Sequence, residues 1–345
     1  MGICFQDEGV FAVRYTSGTE LRMLLKTAED LGLPVCESYY NKRPLSRDTN
    51  VFAIDLKQRL FEYLGEPHIC AAMASSGVRF WSVEEFCRLA ELGFPHKTRT
   101  PVFHVPHDGA EFPPELMASI CVPQVQFLRY HEKMRDIRIH AMIPRAYWTA
   151  SQSVRFPVSR LLCDVERFIG PEEIMEQFGM GFCYERAFDG TVIKTVTDEL
   201  KEKTRFYYDR HHALMDRLCD IHKRIVLFDI HSYSDEIVPP SFLRGGEPTP
   251  DVCIGTDARY TPERLAALAE RRFREAGYFV RRDYPYSGCY VPNTVLSGAA
   301  DCDLLSLMLE FNKRIYLSHE GKPIRGVTAG IQSVLAKIAV DCIGM

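Results

Sequence analysis

Continuous apolar strands alternate with helices through residues 101–345, and this alternation restricts the fold more than any other feature of the chain. The apolar segments are PVFHVPH, IVLFDIHSY, DVCIGT and LLSLMLEFNKRIYL, and amphipathic segments such as TPERLAALAERRFREAG lie between them. Strands that are apolar on both faces are typical of a sheet covered by helices on both sides. We therefore predict an α/β fold with a mixed, mostly parallel sheet flanked by helices.

Residues 1–95 have a different pattern and predict a small accessory α+β unit of unassigned role. ELRMLLKTAEDLG has helical spacing, whereas NVFAIDL and HICAAMA have the composition of strands. SGVRFWSVEEFCRLAELGF predicts a strand and then a helix, with Ser82 and Glu85 spaced as a capping box. FPHKTRTP, residues 94–101, is the predicted linker to a catalytic domain that covers residues 96–345.

Composition excludes several classes of partner. The formal net charge of -4 gives no electrostatic reason to expect nucleic acid or an anionic membrane surface. No apolar run approaches the roughly 18 to 20 residues that span a bilayer, and the N-terminus does not resemble a signal peptide. The 12 cysteines are scattered without a CxxC pair, which indicates reduced thiols rather than a cysteine-rich metal site. We expect a soluble, cytoplasmic protein that binds neither nucleic acid nor membrane.

Histidines and carboxylates collect at the ends of the predicted strands. In sheets of this kind, ligands bind beyond the carboxyl ends of the strands. The residues concerned are His104, His107, Asp108, Asp164, Glu166, Arg167, Asp229, His231, Ser232 and Glu310. Catalytic zinc is typically held by three nitrogen or oxygen ligands and keeps one position open for water. The pattern thus predicts a mononuclear zinc site.

Structural roles compete with functional ones at several of these positions. His104 alternates with apolar neighbours, which favours a core position, and His107 begins a loop. Glu310 interrupts a very apolar strand, so it is either functional or paired, with Arg314 as the predicted partner. On the helix that precedes IVLFDIHSY, the spacing predicts that His211 faces the core and His212 faces solvent.

Seven segments resemble, in order, those of the N-formylglutamate amidohydrolase (N-formylglutamate deformylase) family. They are HVPHDGAEFPPE, CDVERF, YYDRHHALM, LFDIHSY, PDVCIGT, YPYSGCYVP and MLEFNKRIYL. The resemblance covers about residues 101–340 and leaves out the first 95. It implies a fold similar to the zinc carboxypeptidases and aspartoacylases, with a central mixed sheet flanked by helices.

The resemblance also implies roles for individual residues. His107 and His231 fall on the family's metal ligands, and Arg167 falls on the clamp for a substrate carboxylate. Glu310 aligns with the glutamate that acts as general base in the related carboxypeptidases. The third ligand is open between Asp164, which we prefer, and Glu166, Asp108 or Glu111. The remaining residues that we assign to substrate binding are Glu166, His211, Ser232, Tyr286, Ser287, Gly288 and Tyr290.

The implied activity is hydrolysis of the amide bond of an N-formyl or N-acyl amino acid, similar to N-formylglutamate. One zinc ion per chain is the expected cofactor, and a small acylated amino acid with a carboxylate is the expected partner. Two alternatives stay open: a zinc carboxypeptidase or acylase that acts on another acyl amino acid or a short peptide, and an inactive family member with a binding or regulatory role.

Overall fold

The computed structural model describes residues 9–34, 50–65, 67–93, 98–170 and 172–345. It divides into two compact units. The first contains the described residues up to Val102 together with Ile143–Ser153 and Leu335–Met345, and the second contains Phe103–Met142 and Val154–Val334. The first unit therefore includes two segments that are distant in sequence from residues 1–95. The functional boundary near residue 95 stays a prediction.

The first unit is built on a four-stranded sheet with the order β3-β2-β1-β4. Its elements are β1 Val10–Arg14, α1 Gly18–Asp30, β2 Val51–Asp55, β3 Leu60–Tyr63, α2 Pro67–Ser75, β4 Phe80–Ser82 and α3 Val83–Glu91. Ser82 and Glu85 form the predicted capping box at the start of α3. Leu24 of α1 and Phe86 of α3 are buried with Phe52 of β2 in one apolar core.

The prediction of a strand at HICAAMA is wrong, because this segment lies in α2. A short apolar run cannot be assigned to a strand or a helix from periodicity alone. Two features favour the helix: three alanines, which have the highest helix propensity, and a proline at the first helical position. Cys70 and Met73, spaced three residues apart, are the buried positions of α2.

The second sheet has six strands in the order β6-β5-β7-β10-β8-β9. Its strands are β5 Thr100–Val105, β6 Ser153–Arg155, β7 Arg224–Tyr233, β8 Val252–Gly255, β9 Val280–Arg282 and β10 Asp303–Asn312. The accompanying helices are α4 Pro114–Met117, α5 Gln124–Met134, α6 Asp198–His222, α7 Glu263–Glu275, α8 Asn293–Leu296 and α9 Val327–Asp341. β7 pairs with β10 in parallel, β8 pairs with β9 in parallel, and β8 runs antiparallel to β10. The prediction of a mixed, mostly parallel sheet flanked by helices is confirmed.

The two central strands, β7 and β10, determine where the polar residues lie at the end of the sheet. β7 is buried from Ile225 to Tyr233, as expected for a strand covered on both faces. Its parallel register with β10 sets Glu310 beside His231. α6 begins at the N-cap Thr197 and leads directly into β7 through Lys223, which has a left-handed φ of 57°.

The predicted linker at residues 94–101 lies partly outside the described residues. Residues 94–97 are not described, and the last two residues of the segment, Thr100 and Pro101, already belong to β5. Within the described part of the chain, none of the helices combines the length and the apolar character that crossing a bilayer requires.

Candidate active site

A cavity of about 640 Å³ opens where the polar residues leave the second sheet. Its walls come from the ends of β7 and β10, from the segment after β5, and from loops at residues 160–168 and 285–291. The polar residues that line it are His107, Arg160, Glu166, Arg167, Tyr184, Tyr208, His212, Asp229, His231, Ser232, Tyr233, Asp257, Tyr286, Ser287, Tyr290, Asn293 and Glu310. Its volume is within the usual range of small-molecule sites.

Three donor atoms converge at one side of this cavity. The Nδ1 atoms of His107 and His231 are 3.2 Å apart, and Asp136 Oδ2 lies 3.7 Å and 3.4 Å from them, respectively. All three residues are buried, and Asp136 Oδ2 has no hydrogen-bond partner among the described residues. Ligands at about 2.0 Å from a tetrahedral zinc ion are about 3.3 Å from one another. The observed spacing fits a zinc ion.

Neighbouring side chains hold each of these groups in place. His107 Nε2 is 2.9 Å from Asp164 Oδ1, and His231 Nε2 is 3.0 Å from Asp229 Oδ1. The Ser232 hydroxyl donates to Asp136 Oδ1 at 3.0 Å, and the Asp136 N–H donates to the carbonyl of His107 at 2.9 Å. Each of the three groups thus has a polar neighbour at its far atom, an arrangement that is common around metal sites.

A second group with ligand-type atoms lies close by and consists of His104, Glu166 and Asp229. Both ring nitrogens of His104 are already occupied: Nδ1 is 2.9 Å from Asp229 Oδ1, and Nε2 is 2.9 Å from His211 Nε2. Because a metal would have to displace these contacts, we favour the group formed by His107, Asp136 and His231. His104 supports Asp229, in keeping with the predicted core position.

A sequence profile described as N-formylglutamate amidohydrolase matches residues 100–317, which is more than half of the 345 residues. This chain belongs to the N-formylglutamate amidohydrolase family. Family membership supports hydrolase activity, and it confirms the resemblance seen in the sequence motifs.

A solved structure agrees with this assignment at the level of the fold. The crystal structure of N-formylglutamate amidohydrolase from Ralstonia eutropha JMP134 is 18% identical, covers 72% of this chain and 96% of its own, and has a TM-score of 0.56. A structure titled YNDL-apo (zinc-free) is 14% identical and covers 33% of this chain and 52% of its own. Its TM-score of 0.22 is too low to support a comparison of folds. No curated protein sequence matches the chain.

Most residues assigned from the motifs of this amidohydrolase family line one cavity. This holds for His107 and His231, for Glu310 and Arg167, and for the proposed substrate residues Glu166, Ser232, Tyr286, Ser287, Gly288 and Tyr290. Gly255 of β8 allows the loop that carries Tyr286 to approach closely, because a Cβ there would lie 2.2 Å from the Gly288 carbonyl oxygen. The roles of these residues remain predictions.

His211 is the assigned substrate residue that the structure does not bring to the cavity. It is buried against His104, whereas its neighbour His212 lines the cavity and is only 6% exposed. The expectation that His212 faces solvent is wrong. Its Nε2 donates to the Val165 carbonyl at 2.9 Å and its Nδ1 accepts from the Tyr290 hydroxyl at 3.1 Å, so hydrogen bonds accommodate its burial.

None of the four carboxylates predicted as possible third ligands lies, as Asp136 does, in one group with the Nδ1 atoms of His107 and His231. Asp164 lies on the far side of the His107 ring, and its other oxygen accepts from Arg160 at 2.8 Å and from Tyr184 at 2.9 Å. Asp108 is held by Arg135 and His140, and Glu111 is exposed. Glu166 lines the cavity, with Oε1 at 3.2 Å from His231 Nε2.

The sequence analysis missed Asp136 because this residue lies just after α5 rather than at a strand end. Within MRDIR it resembles any surface aspartate between basic residues. Only its burial, with one oxygen left unpartnered, distinguishes it.

Glu310 has the environment of a proton-transfer group. Burial raises the pKa of its carboxyl to about 8, with a further upward contribution from Asp136, although the His231 imidazole lowers it. Its Oε2 is buried and has no hydrogen-bond partner among the described residues. The alternative partner Arg314 instead pairs with Asp235 at 3.0 Å and Asp251 at 3.1 Å.

The two candidate histidine ligands differ in their electrostatics. Burial, assisted by Arg160, lowers the pKa of His107. Burial also opposes the charged form of His231, but Asp229 and Glu166 outweigh it and raise the pKa of that imidazole well above its usual value. The carboxylates around His231 thus favour a cation at this position, whether it is a proton or a metal ion.

Proposed function

We propose that this chain is a zinc-dependent amidohydrolase that cleaves the amide bond of an N-formyl amino acid to give formate and the free amino acid. The observation that carries the proposal is the convergence of His107 Nδ1, His231 Nδ1 and Asp136 Oδ2 beside Glu310, in a cavity that also contains Arg167. Two histidines and a carboxylate form a ligand set typical of catalytic zinc. We propose Asp136 as the third ligand in place of Asp164.

When zinc is bound, it supplies Lewis acidity that activates water and polarises the amide carbonyl. Glu310 takes a proton from the attacking water at Oε2 and later delivers it to the leaving nitrogen. A buried carboxylate oxygen without a hydrogen bond among the described residues can accept the proton in the first step and release it in the second.

Arg167 is the proposed clamp for the substrate carboxylate. Its side chain is a quarter exposed in the cavity, and its Nε lies 3.6 Å from Asp164 Oδ2. Arg160, the other guanidinium of the cavity, already donates to Asp164 through Nε and Nη2. Arg167 can therefore bind a carboxylate through its terminal nitrogens and orient the amide for attack.

Both proposed histidine ligands, the base and the clamp line one cavity, and Asp136 lies beside the histidines, which favours an active enzyme over a member that has lost catalysis. The same arrangement accommodates another acylated amino acid, so the acyl group and the side chain belong to the proposal rather than to the family assignment. We propose a small acylated amino acid as the substrate.

The test is the zinc content of protein purified without chelator, together with formate release from N-formyl-L-glutamate. We expect about one zinc ion per chain. His231→Ala and Asp136→Asn should each lose zinc and activity, because each removes a ligand. Asp164→Asn should keep at least part of its zinc, since it alters the support of His107 and does not remove a proposed ligand, at a cost of about 10- to 100-fold in affinity.

His319→Ala is the matched control, because His319 is exposed and lies outside the candidate site. It should keep both zinc and activity. Stoichiometric zinc in His231→Ala would disprove the site. Loss of zinc in Asp164→Asn with full zinc in Asp136→Asn would restore Asp164 as the third ligand.

A further inference from the structure

A second cavity, of about 470 Å³, opens beside the catalytic cavity. We propose that it binds the apolar side chain of the substrate's amino-acid part, so that the preferred substrate is an N-formyl amino acid with a large apolar side chain. The inference rests on the proposed function and goes further, because that function leaves the side chain open.

The two cavities are adjacent and share part of their walls. Met175, Met180, Pro239 and Phe242 belong to the walls of both. A substrate whose amide lies at Glu310 and whose carboxylate lies at Arg167 can thus extend along these shared walls into the second cavity. The formyl group is a single carbon, so the side chain is the part of an N-formyl amino acid that can reach it.

The lining of the second cavity is apolar. Phe178 and Phe188 contribute with the shared methionines and Phe242, and Arg186 is the one charged residue among the described residues that line it. Arg186 is already engaged: its Nη1 donates to the Gly190 carbonyl at 3.0 Å, and its Nε lies 3.8 Å from Glu185. A second substrate carboxylate would lose water here without gaining an unengaged cation, whereas an apolar side chain gains free energy by burial.

The charged residues of the catalytic cavity also disfavour a second carboxylate on the substrate. Arg160 and Arg167 are its cations among the described residues, and Arg160 is held by Asp164. Because Asp164 accepts from Nε and Nη2 of Arg160, Arg167 is the better placed of the two guanidinium groups to bind a carboxylate through both terminal nitrogens. An α-carboxylate satisfies it, and a side-chain carboxylate such as that of glutamate would have to compete for the same group.

Apolar residues at the mouth of the two cavities are unusually exposed. Ile174 of the catalytic cavity is 68% exposed, and Phe178 of the second cavity is 50% exposed. Large exposed apolar groups that cluster at a cavity mark a binding surface more often than isolated ones do. An apolar substrate side chain would cover them.

The experiment compares kcat/KM for N-formyl-L-phenylalanine, N-formyl-L-glutamate and N-formylglycine on the zinc-loaded, full-length enzyme. We expect the phenylalanine derivative to exceed both others by at least about tenfold, the lower end of what apolar pockets discriminate. Phe178→Asp should reduce the preference for phenylalanine over glycine by at least about tenfold, because it places a charge in the apolar wall of the second cavity.

Phe206→Asp is the matched control, since Phe206 is a 56% exposed phenylalanine that lines neither cavity. It should leave all three rates unchanged. A preference for N-formyl-L-glutamate, or equal rates on all three substrates, would overturn the apolar pocket and leave the proposed function intact. Hydrolysis of none of the three would overturn both. The comparison on the unaltered enzyme decides the question even if Phe178→Asp does not fold.

Discussion

At the scale of single residues, the candidate site is defined by which atom of each side chain is occupied. The far atoms of His107, His231 and Asp136 contact Asp164, Asp229 and Ser232, respectively, and their near atoms face one another. A buried polar atom without a partner is costly unless a ligand satisfies it. Asp136 Oδ2 and Glu310 Oε2 are both buried without a hydrogen bond to any described residue, on adjacent parts of one site.

The residue-scale prediction concerns Glu310. Glu310→Gln should fold normally and keep its zinc, because its neighbours Leu309 and Phe311 are buried and form the packing of the strand. Its turnover should fall by roughly 100- to 10,000-fold, the usual contribution of general acid–base catalysis, with little change in substrate affinity. Single-turnover kinetics together with zinc analysis measure both quantities. Near-normal turnover in a protein of lower thermal stability would instead assign Glu310 a structural role.

At the scale of elements, the site depends on register and on close backbone approach. The parallel pairing of β7 with β10 sets His231 beside Glu310, and a shift of one residue would turn one of them into the core. The loop after β5, which carries His107, contacts the segment before residue 160: the N–H of Glu111 donates to the Pro157 carbonyl at 2.9 Å. Gly109 makes this contact possible.

We predict that Gly109→Ala weakens zinc binding. A Cβ at Gly109 would lie 2.4 Å from the Val158 carbonyl oxygen and 2.5 Å from that of Pro157, so the backbone of the loop must move. Because His107 is two residues away, the shift should reduce zinc affinity by about tenfold or more, as misplacement of a ligand does. Competition with a chelator measures the affinity.

Gly245→Ala is the matched control for this prediction, since an added Cβ there meets no atom within 4 Å. Its zinc affinity should equal that of the unaltered protein. Unchanged affinity in Gly109→Ala would show that the loop can adjust without moving His107.

At the scale of the whole molecule, the two compact units each have their own apolar core. The proposed ligands all lie in the second unit, at positions 107, 136 and 231. The first unit also includes the C-terminal segment, whose Ile343 is buried in the same core as Leu24 and Phe86. Removing the N-terminal residues therefore leaves part of an apolar core without partners.

We predict that a truncated chain beginning at Thr98 binds zinc but is less soluble than the full chain. It retains every proposed ligand, while Ile343 loses its apolar neighbours. Zinc analysis and size-exclusion chromatography test the two statements. A truncated chain that folds without zinc would show that the N-terminal residues contribute a ligand and that the predicted boundary is wrong.

A second prediction at this scale concerns pH. Burial, assisted by Arg135, lowers the pKa of His131 from 6.5 to about 4 in the folded protein. Between these values the unfolded chain binds a proton that the folded chain does not, so this contribution to stability is complete above pH 6.5 and is lost as the pH falls towards 4. The loss is on the order of 3 kcal/mol for this one group.

Urea unfolding at pH 7 and pH 5 measures this dependence. His131→Gln should flatten the fall in the free energy of unfolding between the two values, because glutamine does not titrate. His319→Gln, at an exposed position, should leave the slope unchanged. An equal slope in His131→Gln would assign the acid sensitivity to other buried groups.

The sequence alone determined the class of the fold, most of its elements and the family. Continuous apolar strands and amphipathic helices carry their own periodicity, and the capping box at Ser82 depends on residues three positions apart. The ordered motifs likewise predicted that residues such as His107, His231 and Glu310 would meet, because the carboxyl ends of adjacent parallel strands share one edge of the sheet.

Tertiary structure determined those features that depend on the surroundings of a residue and not on its position in the chain. It gave α2 its helical form, buried His212, and placed Asp164 behind the His107 ring. It also brought Asp136, 29 residues after His107 and 95 before His231, to the centre of the candidate site. Burial and an unpartnered oxygen arise only when separate segments pack together, so no local pattern encodes them.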